Sequence, residues 1–311
     1  MGSHAWRGEG IPDQSGRVAV VTGANSGIGY VTARELARYG AHTILACRDK
    51  QRGEAALERL HAELGEAGCG RAELVPLDLA DLGSVRDFPV SLPTDRVDLL
   101  VNNAGVMGLP YQRTADGFEM QFGTNHLGHF ALTGVLLPWL SNAAQPRVVT
   151  VSSNLHQRGR IDFDDLHSAG SYDKWRAYAQ SKLANLLFAD ELQRRATAAG
   201  HPLLSMAAHP GMAATNLAAG LPTLRGRPRL AALLRSGIGV LGQSEEQGAL
   251  PVLRAATDPT VAGGSYLGPA RMGGTRGPPV LARRAPAACD EYAAEKLWRI
   301  SADLTGVRYF W

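Results

Sequence analysis

Apolar residues along the chain gather into short, nearly continuous runs, separated by longer stretches in which they recur at helical spacing. Residues 17–21, 41–47, 72–77, 97–101, 147–152 and 203–208 are rich in Val, Leu, Ile and Ala and read as strands buried on both faces. Between them, 30–39 reads as a helix closed by Gly40, and 49–64 as a charged amphipathic helix. The stretch 124–140 has helical spacing interrupted by Gly128, Gly134 and Pro138. A long helix is predicted over 175–199, ended by Gly200, and another over 244–257, where Ser244 and Gln247 have the spacing of a capping box. Tyr266-Leu267 is a short last strand.

Strand and helix in unbroken alternation predict an α/β fold: a doubly wound Rossmann-type parallel sheet of about seven strands with helices on both faces. No linker or internal repeat interrupts the pattern, so residues 1–311 are expected to form a single domain. Residues 216–243 are different, being rich in Gly, Pro, Leu and Arg without a clean period. They follow the sixth strand, at the carboxyl edge where such sheets bind ligands, and are expected to act as a substrate lid. Residues 270–311 are expected to be a C-terminal extension.

Composition narrows the function classes. The chain has 311 residues, 45% hydrophobic and 20% charged, a globular balance. Its 36 glycines are about 12% of the residues, against roughly 7% in ordinary proteins, yet no Gly-X-Y period is present. A net charge of +3 from 32 basic and 29 acidic residues is too balanced to suggest nucleic-acid binding. Cys47, Cys69 and Cys289 are an odd number without CxxC spacing, which speaks for a reducing compartment. With no run long enough for a membrane span and no apolar leader, a cytoplasmic location is expected, with membrane contact not expected.

Thr22-Gly23-Ala24-Asn25-Ser26-Gly27-Ile28-Gly29 follows the first strand and opens the first helix. Glycine permits the tight turn and a close backbone approach to a pyrophosphate, and a helix N-terminus offers free N–H groups and partial positive charge. At the end of the second strand stands Cys47, followed by Arg48; no carboxylate occupies the strand end. A carboxylate there would accept from the ribose 2′-OH of NAD, whereas an arginine pairs with the 2′-phosphate of NADP. Arg48 therefore points to NADP(H), the alternative being an ordinary solvated arginine. Asp49, one residue on, has the place of a helix cap.

Tyr178-Ala179-Gln180-Ser181-Lys182 lies within the long helix, so Tyr178 and Lys182 share one face at i, i+4. A free tyrosine, with a pKa near 10, is a poor proton-transfer group at neutral pH, and a neighbouring ammonium favours its phenolate. Ser152 and Ser153 end the fifth strand, where a hydroxyl either hydrogen-bonds a substrate oxygen or caps a turn. Asn125 offers either a polar relay or a cap. His126 and His129, at i, i+3, have no third ligand at metal-site spacing and read as packing or hydrogen-bonding residues, so no metal is expected.

In combination these motifs resemble the short-chain dehydrogenase/reductase family, from Gly16 to about Thr257 and in the family's order. They are residues 22–29, Asn102-Asn103-Ala104-Gly105, Asn125, Val151-Ser152-Ser153, Tyr178 with Lys182, and Pro210-Gly211 through Thr215. The resemblance implies that Tyr178 is the proton donor or acceptor. Lys182 would lower its pKa and hold the nicotinamide ribose. Ser153 would polarise the substrate oxygen, and Asn125 would support a proton relay. It implies cofactor contacts at Gly23, Asn25, Ser26, Gly27, Ile28 and Arg48. It further places Asp78 and Leu79 near adenine, Asn103, Ala104 and Gly105 on the adenosine side, and Pro210, Gly211, Met212 and Thr215 beside the nicotinamide.

Ser153 and Tyr178 are 25 positions apart, a longer spacing than in shorter members, through an extra segment over 157–174. Similar insertions, together with Asn125-His126-Leu127-Gly128-His129-Phe130 and Ser181-Lys182-Leu183-Ala184-Asn185, mark the retinol-dehydrogenase-like branch. The segment from Leu297-Trp298 to Thr305-Gly306 resembles actinomycete relatives of that branch, among them ketoreductases of secondary-metabolite and antibiotic tailoring. The expected activity is NADPH-dependent reduction of a bulky hydrophobic ketone. Alternatives are a retinol- or steroid-type alcohol dehydrogenase, a tetrapyrrole C=C reductase, or a non-enzymatic NADP sensor. The partner expected is a small hydrophobic carbonyl or alcohol substrate, with no nucleic acid.

Overall fold

The computed structural model describes residues 6, 8–65, 71–212 and 243–311. The expected lid over 216–243 therefore lies outside the described residues, save for Gln243, and so do Thr215 and Cys69.

Eight strands form one sheet in the order β3-β2-β1-β4-β5-β6-β7-β8. They are β1 (Val18–Thr22), β2 (His42–Cys47), β3 (Ala72–Pro76), β4 (Leu99–Asn102), β5 (Arg147–Val151), β6 (Leu204–Ala208), β7 (Tyr266–Arg271) and β8 (Arg276–Leu281). The first seven are parallel, and β8 returns antiparallel to β7. Alternate positions of the parallel strands enter different cores. On one face Val21, Leu45, Leu99 and Val149 pack with Leu36 of α1 (Gly27–Arg38) and Val252 of α6 (Glu245–Thr257). On the other, Leu100 and Val148 meet Phe130 of α4 (Gly128–Val135), Leu183 and Phe188 of α5 (Lys174–Ala198), and Trp298 of α7 (Glu291–Thr305). α2 (Lys50–Leu64) and α3 (Leu82–Asp87) complete the crossovers near β2 and β3. Two-sided burial is why the strands read as continuous apolar runs.

Three features depart from the expectations. The first helix begins at Gly27, three residues before 30, because its opening turn is built from the glycine-rich loop itself. The stretch 124–140 is not one helix. It opens with a π-helical turn, Gly123–Leu127, continues as α4, breaks at Leu136, and resumes over Leu137–Ser141 with Pro138 in its first turn. Gly128 and Gly134 are contact points rather than breakers: a Cβ on Gly128 would lie 2.4 Å from the Leu79 carbonyl oxygen, and one on Gly134 2.5 Å from Val307. The expected final strand is the start of a six-residue strand with a partner. β8 carries Pro278 and Pro279, which a strand tolerates at the sheet edge. Position 270 thus falls inside β7, and α7 buries Leu297 and Trp298 in the main core.

Candidate active site

The ends of β1, β4, β5 and β6 bring the chemical residues together at the carboxyl edge. Gly23 (φ +66°) turns the chain out of β1, and a Cβ there would meet Ala104 at 3.0 Å. Gly29 sits tighter still, its missing Cβ falling 2.4 Å from Asn103 Nδ2. Asn103 in turn donates from Nδ2 to the Thr22 carbonyl at 2.8 Å, so the loop after β4 is locked against the loop after β1. The N-cap residue of α1, Ser26, makes no side-chain cap bond, which leaves the first N–H groups of the helix to the loop side. Uncapped helix donors beside residues that only glycine can occupy suit the pyrophosphate of a dinucleotide. Arg48 is exposed directly after β2, while Cys47 is buried and its thiol is pushed up to about 11 by burial. Asp49 caps α2, accepting from Arg52 N at 3.0 Å. Asp78 is half-buried and accepts from Ala80 N at 2.9 Å, and Leu79 is buried.

Tyr178 and Lys182 lie on the buried face of α5, with Lys182 Nζ 5.8 Å from the Tyr178 ring centroid. Burial pushes the Tyr178 phenol up to about 12, and the neighbouring Ser153 hydroxyl pulls it the other way. Burial pushes the Lys182 ammonium down to about 8. These shifts differ from the expectation that the ammonium favours phenolate. In this geometry Lys182 Nζ donates to the Val151 carbonyl at 3.0 Å rather than to the phenol.

Ser153 follows β5 and caps a short turn, accepting from Leu155 N at 3.2 Å. The turn-cap reading of this serine holds, and the same hydroxyl neighbours the Tyr178 phenol. Asn125 lies in the π-helical turn. Its Oδ1 accepts from Val106 N at 2.8 Å, and its Nδ2 donates to Val106 O at 3.0 Å and Ser181 Oγ at 2.9 Å. A Cβ on Gly105 would lie 3.1 Å from Asn125 Oδ1 and 3.5 Å from Lys182 Nζ, so the chain after β4 passes directly over both. Pro210, Gly211 and Met212 follow β6.

Several residues that hold this arrangement escaped the sequence. His156 is buried, with Nδ1 2.7 Å from the Ser153 carbonyl and Nε2 accepting from Ala285 N at 3.2 Å. The turn between β7 and β8 braces two loops at once. Asn154 Nδ2 donates to Gly274 O at 2.9 Å, and Met212 N donates to Thr275 O at 2.9 Å. Gly273-Gly274 was a turn signal for this hairpin. The insertion over 157–174 is tied to the helix that carries the tyrosine: Gln180 Nε2 donates to Leu166 O at 3.0 Å, and Asp162 N to Gln180 Oε1 at 2.9 Å.

His126 and His129 are engaged separately, His126 with Ser301 Oγ at 2.8 Å and His129 with Thr22 Oγ1 at 2.9 Å. Among the described residues no group of three or more His, Cys, Asp or Glu converges as a metal site. Nor is any described helix long and apolar enough to cross a membrane.

A doubly wound sheet with an open helix terminus and a buried Tyr–Lys pair at its carboxyl edge is the architecture of a dinucleotide-dependent oxidoreductase. The family model for short chain dehydrogenases matches residues 17–223, and the chain belongs to that family. As a member it is an oxidoreductase of the CH–OH/C=O couple. It is 42% identical over 304 residues to retinol dehydrogenase 14 of Mus musculus, covering 94% of this chain and 86% of that protein. Among solved structures it resembles an uncharacterised protein of Mycobacterium Paratuberculosis, with a TM-score of 0.80 and 43% identity over 99% of this chain and 100% of that one. It also resembles the NADP active-site complex of RhlG from Pseudomonas aeruginosa, with a TM-score of 0.61 and 26% identity over 81% and 94%.

Proposed function

We propose that the chain is an NADP(H)-dependent oxidoreductase that reduces the carbonyl of a bulky hydrophobic compound, with Tyr178 as the proton donor. The observation that carries this reading is the Tyr178 phenol, buried one helical turn from Lys182 and acted on by the Ser153 hydroxyl. When bound, the nicotinamide supplies the hydride chemistry. The chain supplies position and protons. The uncapped start of α1, with Gly23, Asn25, Ser26, Gly27 and Ile28, holds the pyrophosphate. Arg48 stands where a 2′-phosphate needs a cation and Cys47 offers no competing charge, which favours NADP(H) over NAD. RhlG, similar in structure, binds NADP. Asp78 and Leu79 border the adenine, Asn103, Ala104 and Gly105 the adenosine side, and Pro210, Gly211 and Met212 the nicotinamide side.

With its pKa near 12, the Tyr178 phenol carries its proton throughout the neutral range, the state needed to donate to a developing alkoxide. Ser153 donates a second hydrogen bond to the same oxygen. Lys182 is charged below about pH 8 and places a cation beside the phenol as it turns to phenolate. Asn125 holds Val106 and Ser181 in place around both. The likeness to a retinol dehydrogenase supports an apolar substrate, and it supports the reverse direction, oxidation of a hydrophobic alcohol at the same site, equally well. Polycyclic ketones of secondary metabolism are the class we favour for the forward reaction.

The test is Tyr178→Phe, assayed for NADPH consumption across polycyclic aromatic ketones, retinal and simple aldehydes. NADPH binding persists and turnover falls by at least about a hundredfold, the range general acid catalysis supplies. Unchanged turnover removes Tyr178 from the mechanism, and activity confined to small aldehydes removes the bulky substrate.

A further inference from the structure

Between the sheet and helices α4 and α5, just beneath the site, lies a layer of polar side chains in an otherwise apolar core. Thr22 closes β1, Asn102 closes β4, and His129 and Thr133 face them from α4; all four are buried. Burying so many polar groups is costly unless each is matched. Here the hydrogen bonds form a continuous chain, with Asn102 Oδ1 the one side-chain atom of the four left without a partner. Thr22 Oγ1 accepts the main-chain N–H groups of Asn103 and Ala104, both at 2.9 Å. Having accepted twice, it has one proton to give. The Val101 carbonyl lies 3.3 Å away and His129 Nε2 2.9 Å, so the imidazole is the nearer acceptor. Nε2 then carries no proton, and Nδ1 must. Nδ1 lies 3.0 Å from the main-chain carbonyl of Asn125, to which it donates. That carbonyl belongs to the π-helical turn one turn back along the same helical stretch, where the regular i→i−4 backbone ladder is interrupted. Asn102 closes a second path: its Nδ2 donates to Thr133 Oγ1 at 3.0 Å, and Thr133 Oγ1 donates to the His129 carbonyl at 2.8 Å.

The sequence separation across the Thr22–His129 contact is 107 residues. It joins the loop proposed to take the dinucleotide to the turn that carries Asn125, whose side chain fixes Val106 and Ser181 next to Lys182. Asn125 itself reaches the β4 loop further on, at Val106, but among the described residues His129 is the one side chain bonded to the Thr22 hydroxyl. A phenyl ring would fill the same space without either bond. It would leave the Thr22 hydroxyl and the Asn125 carbonyl to settle separately.

We propose that His129 is a positioning residue for the reaction: its imidazole joins Thr22, and with it the Asn103–Ala104 backbone, to the Asn125 carbonyl, so that the dinucleotide loop and the catalytic turn are set as one unit. This rests on the roles given above to Asn125 and Lys182. A residue that merely filled space would affect stability alone. One that sets two walls of the site affects cofactor affinity and kcat together, while leaving the KM of the carbonyl substrate nearly unchanged.

The experiment compares His129→Phe, His129→Gln, Thr22→Val and the Thr22→Val/His129→Phe double variant of the full chain. NADPH dissociation constants come from fluorescence titration without substrate. The kcat and KM values are measured with the compound turned over best in the Tyr178 screen, and urea midpoints with neither ligand. His129→Phe is expected to weaken NADPH binding about tenfold and to cut kcat about tenfold or more, the effect of one lost buried hydrogen bond. Glutamine can donate and accept at nearly the same reach, so His129→Gln recovers most of both. Thr22→Val reproduces the loss and adds that of the acceptor for the Asn103 and Ala104 N–H groups, and the double variant is no worse than Thr22→Val alone, as for two halves of one link.

NADPH affinity and kcat unchanged in His129→Phe, with only the urea midpoint lowered, overturn the proposal. So do losses that multiply in the double variant. If His129→Phe does not fold, His129→Asn, too short to reach Thr22, replaces it: wild-type NADPH affinity and kcat in His129→Asn overturn the link, and a loss there that His129→Gln recovers supports it. Active Tyr178→Phe would instead count against the reaction itself, whatever His129 does.

Discussion

At the scale of single residues, the site shows how much environment alters a side chain of fixed chemistry. Tyr178 and Lys182 were legible as a pair at i, i+4, but their protonation tendencies were not. Burial dominates both shifts, moving the phenol up and the ammonium down, because removal from water disfavours whichever form is charged. A motif states which groups meet and is silent on how dry they are. Arg48 is the opposite case, an exposed residue whose meaning lies in what it would face. Replacing it by glutamate puts a carboxylate where a 2′-phosphate would sit and where a 2′-OH could donate. Arg48→Glu is expected to weaken NADPH binding by at least about tenfold and to shift preference toward NADH. Titration with both dinucleotides measures this, and retained NADPH preference would remove Arg48 from the cofactor site.

At the scale of elements, six of the strands and most of the helices stood out in the sequence because two-sided burial and helical spacing leave local traces. β8 did not, since Pro278 and Pro279 argue against a strand anywhere except an edge, and edges are known only once the sheet is assembled. The π-helical turn left no trace either, because its side chains bond partners far along the chain, Asn125 to Ser181 and His126 to Ser301. Gly128 and Gly134 were read as weak points of a helix when they are its closest contacts. Gly128 allows α4 to approach the Leu79 carbonyl, a main-chain atom that cannot rotate away. Gly128→Ala is therefore expected to destabilise the fold by about 1–3 kcal/mol, the range for overpacking, instead of gaining the usual helical benefit of alanine. The urea midpoint reports the sign directly. Because Leu79 follows Asp78, the same variant should also weaken NADPH binding, which the fluorescence titration reads separately.

At the scale of the whole molecule, the buried imidazoles tie stability to pH. Burial pushes His126 down to about 3 and both His129 and His209 down to about 4. The unfolded chain takes up protons on these groups near pH 6.5, whereas the fold refuses them until much lower pH. Their contribution is thus complete above about pH 6.5 and is lost as pH falls toward 4, at up to about 1.4 kcal/mol per pH unit for each. Asp190, pushed up to about 6 by burial, works in the opposite sense below that pH, as do Glu119 and Glu245, which burial also raises, while His156, His167 and His201, lowered by burial, add to the imidazole effect. The urea midpoint is expected to drop steeply between pH 6.5 and 5, and a flat profile would mean that the imidazoles are hydrated in the fold. The sheet order carries a consequence of another kind. β1 lies beside β4, with Ala19 opposite Leu99 and Val18 N–H bonded to the Asp98 carboxylate across 80 residues. The cleft between their ends does not exist in any partly folded chain that has yet to make this pairing. Long-range parallel pairing of this kind is slow to form. A dinucleotide that binds only the finished cleft withdraws molecules from the unfolded pool in proportion to its concentration over its dissociation constant. The cellular supply of the nucleotide then becomes a determinant of how much of this chain survives as folded protein.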